Sequence, residues 1–236
     1  MKKDYSVSPE ARKIYKRKLF TRIAKLVFLL LLIFLTCIYF LLYVLYSKGN
    51  FTVTLDQYAD NKKNVFLSED GSANNIRVKL SAKSLDYMDN ISEKWIRSDI
   101  DTESDGSHNG NNYIAYSFYL LNYGNEIVNY WYEVKVNDSI KGADEAIRIR
   151  IYRNGEMQTY AKKNKTTGDP EVNTKAFYSD DTALLEGVEN FAPGDKDRFT
   201  VVIWLEGDDP DCIDDIIGGE VKLEMNITEE HLAKKE

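Results

Sequence analysis

The chain has 236 residues, with 31 basic and 38 acidic side chains, a formal net charge of −7, two cysteines and two histidines. An acidic balance disfavours nucleic acid and anionic lipid as partners of the exposed surface, and two cysteines exclude a disulfide-stapled mini-domain. Length alone allows one or two domains, but the apolar residues are concentrated near the N-terminus.

Residues 1–25 form a basic tail, in which Lys2, Lys3, Arg12, Lys13, Lys16, Arg17, Lys18, Arg22 and Lys25 stand against Asp4 and Glu10. From Leu26 to Tyr46 no residue is charged. As a helix rising about 1.5 Å per residue this run spans roughly 31 Å, the thickness of a bilayer core. A helix that is apolar all round has no use as the core element of a small globular domain. A cleaved signal peptide has a shorter apolar stretch, of about 7 to 15 residues, closed by small residues. This one ends instead in Tyr43, Val44, Leu45, Tyr46, Ser47 and Lys48. Tyr39, Tyr43 and Tyr46 suit the headgroup zone at the far end. Lysine and arginine stay on the cytoplasmic flank, so the expectation is a single-pass signal-anchor with its N-terminus in the cytoplasm and its C-terminal domain extracellular. The lipid bilayer is then a partner through residues 26–46. Residues 51–236 carry 21 basic against 36 acidic side chains, a net of about −15. Cys37 lies in the apolar run and Cys212 far beyond it, so the two cannot pair within one chain.

Beyond the apolar run, alternation with period 2 recurs, the signature of strands with one buried face. Phe51, Val53 and Leu55 alternate with Thr52, Thr54 and Asp56, and Ile76, Val78, Leu80 and Ala82 repeat the pattern. Ile114, Tyr116, Phe118 and Leu120 lead through Asn122-Tyr123-Gly124-Asn125 to Val128, Tyr130, Tyr132, Val134 and Val136, and the two segments are expected to form a hairpin. Ile147, Ile149 and Ile151 precede Asn154-Gly155, which supplies the two positive-φ residues of a type I′ turn into Met157–Tyr160. Phe199, Val201, Ile203 and Leu205 answer Val221, Leu223, Met225 and Ile227 across an acidic loop. The one stretch with helical potential is around Ser179 to Glu189, too short to cover a sheet. Seven or more short strands predict an all-β ectodomain, a two-sheet antiparallel β-sandwich of jelly-roll or Ig-like type, over residues 47–228, with a C-terminal tail at 229–236 that adds a helical turn or frays.

Two acidic loops are candidate calcium sites. Asp99, Asp101, Glu103 and Asp105, followed by Gly106, place oxygen ligands at every second position and then a glycine, as in the first half of a calcium loop. With Asp101 as the first position, Asn112 occupies the twelfth, where a bidentate Glu belongs, and strands flank the loop in place of helices. In the second loop Glu206, Asp208, Asp209 and Asp211 lie close together around Pro210, and their mutual repulsion is offset by a cation or by solvent. No other cofactor is indicated. The chain contains no H-E-x-x-H, no G-x-S-x-G and no Gly-rich phosphate loop, and neither His108 nor His231 neighbours Cys212 in sequence, so a non-enzymatic role is expected.

The stretch from Tyr113 to Glu133, the turn Ala192-Pro193-Gly194-Asp195 ahead of a strand, and Ile203 to Cys212 with Gly218-Gly219-Glu220 resemble membrane-tethered surface proteins of low-GC Gram-positive bacteria. More loosely, the succession strand, N-x-G-N, strand, P-G-D, strand resembles the TasA/camelysin group of exported jelly-roll proteins. The TasA side of that resemblance implies a secreted fibre subunit joined by strand exchange, and the camelysin side a metallopeptidase. The residues themselves lead to the expectation of a membrane-tethered structural or interaction module with surface or envelope proteins as partners. A calcium-responsive or assembly-accessory domain is the alternative.

Overall fold

The computed structural model describes residues 9–46, 50–56, 64–85 and 87–231. Residues 1–8, 47–49, 57–63, 86 and the tail at 232–236 lie outside the described residues, as do the side chains of Arg12, of Tyr43 to Tyr46 and of His231. The chain divides into two units, Met1–Lys48 and Gly49–Glu236.

The first unit contains one helix, α1 (Pro9–Tyr46), long and apolar enough between Lys13 and Leu42 to cross a membrane. Its 38 residues give a length of about 57 Å, more than a bilayer core requires, and its first turns carry the basic residues. The apolar side chains stand out along it, Leu29 being 58 % and Phe34 64 % exposed. The hydroxyl of Thr36, the polar side chain amid this run, donates to the Ile33 carbonyl one turn back (2.8 Å), so it needs no water.

The second unit is built of strands β1 (Phe51–Leu55), β2 (Val65–Ser68), β3 (Ile76–Arg77), β4 (Lys79–Ser81), β5 (Gly106–Ser107), β6 (Tyr113–Asn122), β7 (Val128–Ile140), β8 (Ile147–Arg153), β9 (Glu156–Ala161), β10 (Lys175–Ala176), β11 (Thr182–Phe191), β12 (Lys196–Leu205) and β13 (Glu220–His231). They form two sheets, ordered β11-β7-β13-β1-β4 and β10-β9-β8-β12-β6-β2-β3, with β5 added beside β6. Between the sheets lies one apolar core, to which the alternating residues named above contribute. Phe118 stacks on Phe199 with ring centres 5.3 Å apart, and Tyr132 meets the same Phe199 edge-on at 5.2 Å.

Several expectations are corrected. The sheets are mixed, because β1 runs parallel to β13, from Phe51 opposite Leu223 to Leu55 opposite Ile227, and β10 runs parallel to β9. Alternation tells which face of a strand is buried; it does not tell the direction of a neighbour far away in sequence. For the same reason β6 and β7 are not a hairpin pair: β6 bonds to β12 and β2, whereas β7 bonds to β11 and β13 in the opposite sheet. β12 and β13 likewise face each other across the core without pairing. The stretch from Ser179 to Glu189 contributes to β11, where a register shift between Thr182 and Leu184 buries the adjacent Ala183 and Leu184 together and blurs the strand period. No helical turn forms at Thr228, since β13 continues to His231. The Asn154-Gly155 turn joins β8 and β9 with φ of +52° and +86°, as a type I′ hairpin needs.

The outer face of the larger sheet is covered as well. The segment 91–100 folds over part of it, and Ile91, Ile96 and Ile100 pack against Ala115, Tyr152, Val202 and Trp204 as a second core. β8 is therefore buried on both faces, and the arginines that alternate with its isoleucines, Arg148 and Arg150, are buried with it.

Candidate functional site

The first acidic loop does not gather its carboxylates around a point. Arg97 takes Asp99 in a two-point contact (2.8 and 3.0 Å) and also bonds Glu103 (3.1 Å). That hydrogen bond from Arg97 holds the Asp99 carboxyl below its ordinary range. Asp105 accepts from the Tyr119 hydroxyl (3.1 Å) and lies 3.4 Å from Arg198. Asp101 contributes its backbone carbonyl to Thr200 Oγ1 (3.4 Å). The His108 ring nitrogens lie 3.0 and 3.1 Å from the carbonyls of Gly106 and Ile100, and they tie the loop to itself.

The second loop leaves β12 and is held in place by the covering segment. The Ile91 N–H donates to the Leu205 carbonyl and the Gly207 N–H to the Ile91 carbonyl, both at 2.9 Å. Glu206 is a structural acceptor: it takes the Trp204 indole N–H (2.9 Å) and the backbone N–H groups of Glu93 (3.1 Å) and Asp208 (3.2 Å). Asp208 accepts from the Ser92 hydroxyl (2.9 Å). Of the four acidic residues named in this loop, the structure brings Asp209 and Asp211 together and turns Glu206 and Asp208 elsewhere.

The partner of Asp209 and Asp211 comes from a different part of the chain. Glu171, between β9 and β10, presents a carboxylate oxygen that lies with one oxygen from each of Asp209 and Asp211 within a mutual 4.8 Å. The loop that carries it is closed on itself: the Asn164 N–H donates to the Asp169 carbonyl (2.9 Å), and the Asn164 side chain accepts from the N–H groups of Thr166 and Thr167. The Lys165 N–H donates to Asp211 Oδ2 (2.9 Å) and joins this loop to the β12–β13 connection. Three carboxylates at this spacing repel one another by at least about 3.5 kcal/mol per pair at an effective dielectric near 20. Arg148 offsets part of this, its Nη1 lying 2.6 Å from Asp209 Oδ2 and its Nη2 3.8 Å from Glu171 Oε2. Even so, Glu171 Oε1 and Asp209 Oδ2 receive no hydrogen bond among the described residues. For Asp209 the two observations differ in kind: the guanidinium is close enough to act as a charge but is not aimed as a donor, and we read the contact as Coulombic.

Cys212 closes the same loop. Burial pushes its thiol above the ordinary range, and the Asp209 and Glu206 carboxylates add to the rise, while the Asn90 amide at 3.5 Å opposes it. A thiol in this setting is a poor nucleophile.

Sequence spacing brought out Asp209 and Asp211 but neither Glu171 nor Arg148. Glu171 is remote in sequence, and Arg148 sits where the strand period predicts solvent. The one available signal was the unusual Ile-Arg-Ile-Arg-Ile alternation of β8, which places two cations side by side on one face.

No protein-family model, no curated protein and no solved structure matches the chain.

Proposed function

We propose that the chain is a membrane-tethered extracellular module of the cell surface, non-enzymatic, that holds a β-sandwich outside the membrane for structural or recognition contacts with envelope proteins. The observation that supports this most directly is α1, whose uncharged run from Leu26 onward presents apolar side chains all round and is preceded by nine basic residues. The jelly-roll or Ig-like assignment belongs to this reading. It is favoured by the way consecutive strands pass from sheet to sheet, β6 to β7 to β8 and again β11 to β12 to β13.

The test uses the full chain with a C-terminal epitope. Retention in the membrane pellet after alkaline carbonate extraction, with loss of the epitope when protease is added to intact cells, is the expected result. An epitope protected in intact cells overturns the orientation. A mature chain recovered from the medium and beginning past Ser47 replaces the anchored module with a secreted subunit.

A further inference from the structure

We propose that Glu171, Asp209 and Asp211 form a binding site for a single calcium-sized divalent cation, with Arg148 as the built-in partial counter-charge. This inference does not depend on the membrane anchor, because it rests on three features within the β-domain.

The first is spacing. Oxygens on opposite sides of a calcium ion, at about 2.3–2.6 Å from it, lie up to about 5 Å apart, and the three carboxylate oxygens lie within 4.8 Å of one another.

The second is the state of the ligand atoms. The Glu171 side chain is only 10 % exposed, yet Glu171 Oε1 finds no donor among the described residues, whereas the fully buried Asp209 has the Arg148 guanidinium beside its Oδ2. Buried carboxylate oxygens are normally hydrogen-bonded, and a buried Glu171 oxygen left without a donor beside two further carboxylates is one that a cation satisfies.

The third is preorganisation and charge. Asp209 Oδ1 accepts the Asp211 N–H (2.7 Å) and Asp211 Oδ2 accepts the Lys165 N–H (2.9 Å), so both aspartates are held in orientation. Three carboxylates against one guanidinium leave two negative charges, which a divalent ion neutralises. The ligand set is all oxygen and includes no nitrogen or sulfur atom, which selects calcium over zinc.

Ion binding clamps together the β9–β10 connection and the β12–β13 connection, which the hydrogen bond from the Lys165 N–H to Asp211 already joins. The site would thus set the rigidity of one end of the sandwich.

The test is calorimetric titration and thermal unfolding of the full chain in detergent, in chelator and in about 5 mM calcium chloride, with sodium chloride at matched ionic strength. Extracellular calcium modules bind in the range of about 10⁻⁴–10⁻³ M, so the melting temperature is expected to rise by about 2 to 9 °C with one ion per chain. Glu171→Gln keeps the shape and removes one charge. It is expected to melt in chelator at or above the unmodified protein and to lose the calcium shift, and Asp211→Asn is expected to lose the shift as well. No calcium shift beyond that of matched sodium chloride overturns the proposal. So does a shift that survives in both variants, since the ion then binds elsewhere. If Glu171→Gln lowers the melting temperature equally with and without calcium, Glu171 serves only as an ion-pair partner of Arg148, and the proposal fails.

Discussion

Replacing Trp204 by alanine tests whether the covering segment at residues 91–100 is a distinct layer held by the second core. The indole is fully buried, at 0 % exposure, and packs with Ile91, Ile96 and Ile100 from the cover and with Val202 from its own strand. Removing a buried tryptophan costs about 3–5 kcal/mol through lost transfer energy and the cavity left behind. Two further losses add to this: the indole N–H no longer donates to Glu206, and Arg150, 5.0 Å from the ring centre, loses its aromatic partner. A total near 4–5 kcal/mol corresponds to a fall of about 9 to 18 °C in melting temperature for a domain of this size. Trp204→Phe retains most of the apolar area and should cost about 1–2 kcal/mol. The cover is expected to come loose before the inter-sheet core, so limited trypsin digestion of the alanine variant under native conditions should cut first after Lys94 and Arg97. A loss of less than about 1 kcal/mol would refute the assignment of Trp204 as the anchor of this layer. First cuts within β6, β8 or β12 would refute the separateness of the layer itself.

The remaining predictions concern pH, the β8–β9 turn and the anchor. Burial first of all pushes the hydroxyls of Tyr116, Tyr130, Tyr132 and Tyr160 upward, that of Tyr132 to about 12. A raised folded value means that the stabilisation is complete below the unfolded value near 10 and is lost as pH climbs towards the folded one, by about 1.4 kcal/mol per pH unit for each tyrosine. Cooperative alkaline unfolding, with tyrosinate absorbance appearing together with loss of circular dichroism, is therefore expected between about pH 10 and 12; tyrosines that ionise near 10 in an intact fold would contradict this. Gly155 has φ of +86° with nothing within 4 Å of an added Cβ, so Gly155→Ala should cost about 1 kcal/mol from backbone strain alone, read by denaturant unfolding. Phe34→Arg, in the middle of the apolar run, should reduce membrane insertion by about 2.5–3.5 kcal/mol, visible as chain lost from the carbonate-resistant fraction.

What the sequence disclosed follows what each signal encodes. The helix was legible because an uncharged run is a statement about composition and needs no partner. The Asn154-Gly155 turn was legible because its requirement is local, two residues in the left-handed region. Burial of Tyr116, Phe118, Phe199 and Val201 followed from alternation. The allocation of β6 and β7 to different sheets did not, because both orient their side chains into one core and period 2 is silent about which neighbour supplies the hydrogen bonds. The two acidic loops looked equivalent as strings of carboxylates, and they diverge through cations placed elsewhere. Arg97 and Arg198 neutralise the first, the latter 93 residues from Asp105, whereas Arg148 only partly offsets the second. Glu171 gave no local sign, since its role arises only once β8 and β9 set two distant loops side by side.

The edges of the sheets bear on how such a module makes contact. Strand exchange requires either an incomplete sheet or a long open edge, and this domain offers neither in simple form. β1, the first strand after α1, is bonded on both sides, in parallel to β13 and antiparallel to β4, so the smaller sheet is completed by the chain's own residues. Among the described residues most edge strands are very short: β4 has three residues, and β3, β5 and β10 have two each. The long edge, β11, has ten residues but carries two register shifts and the acidic side chains Glu186 and Glu189, with Glu186 engaged by Lys175. Irregular spacing and edge charge are what protect a sheet from adding strands. The charge left over lies in the loops, where Glu171 in the β9–β10 connection comes within 4.8 Å of Asp209 and Asp211 in the β12–β13 connection.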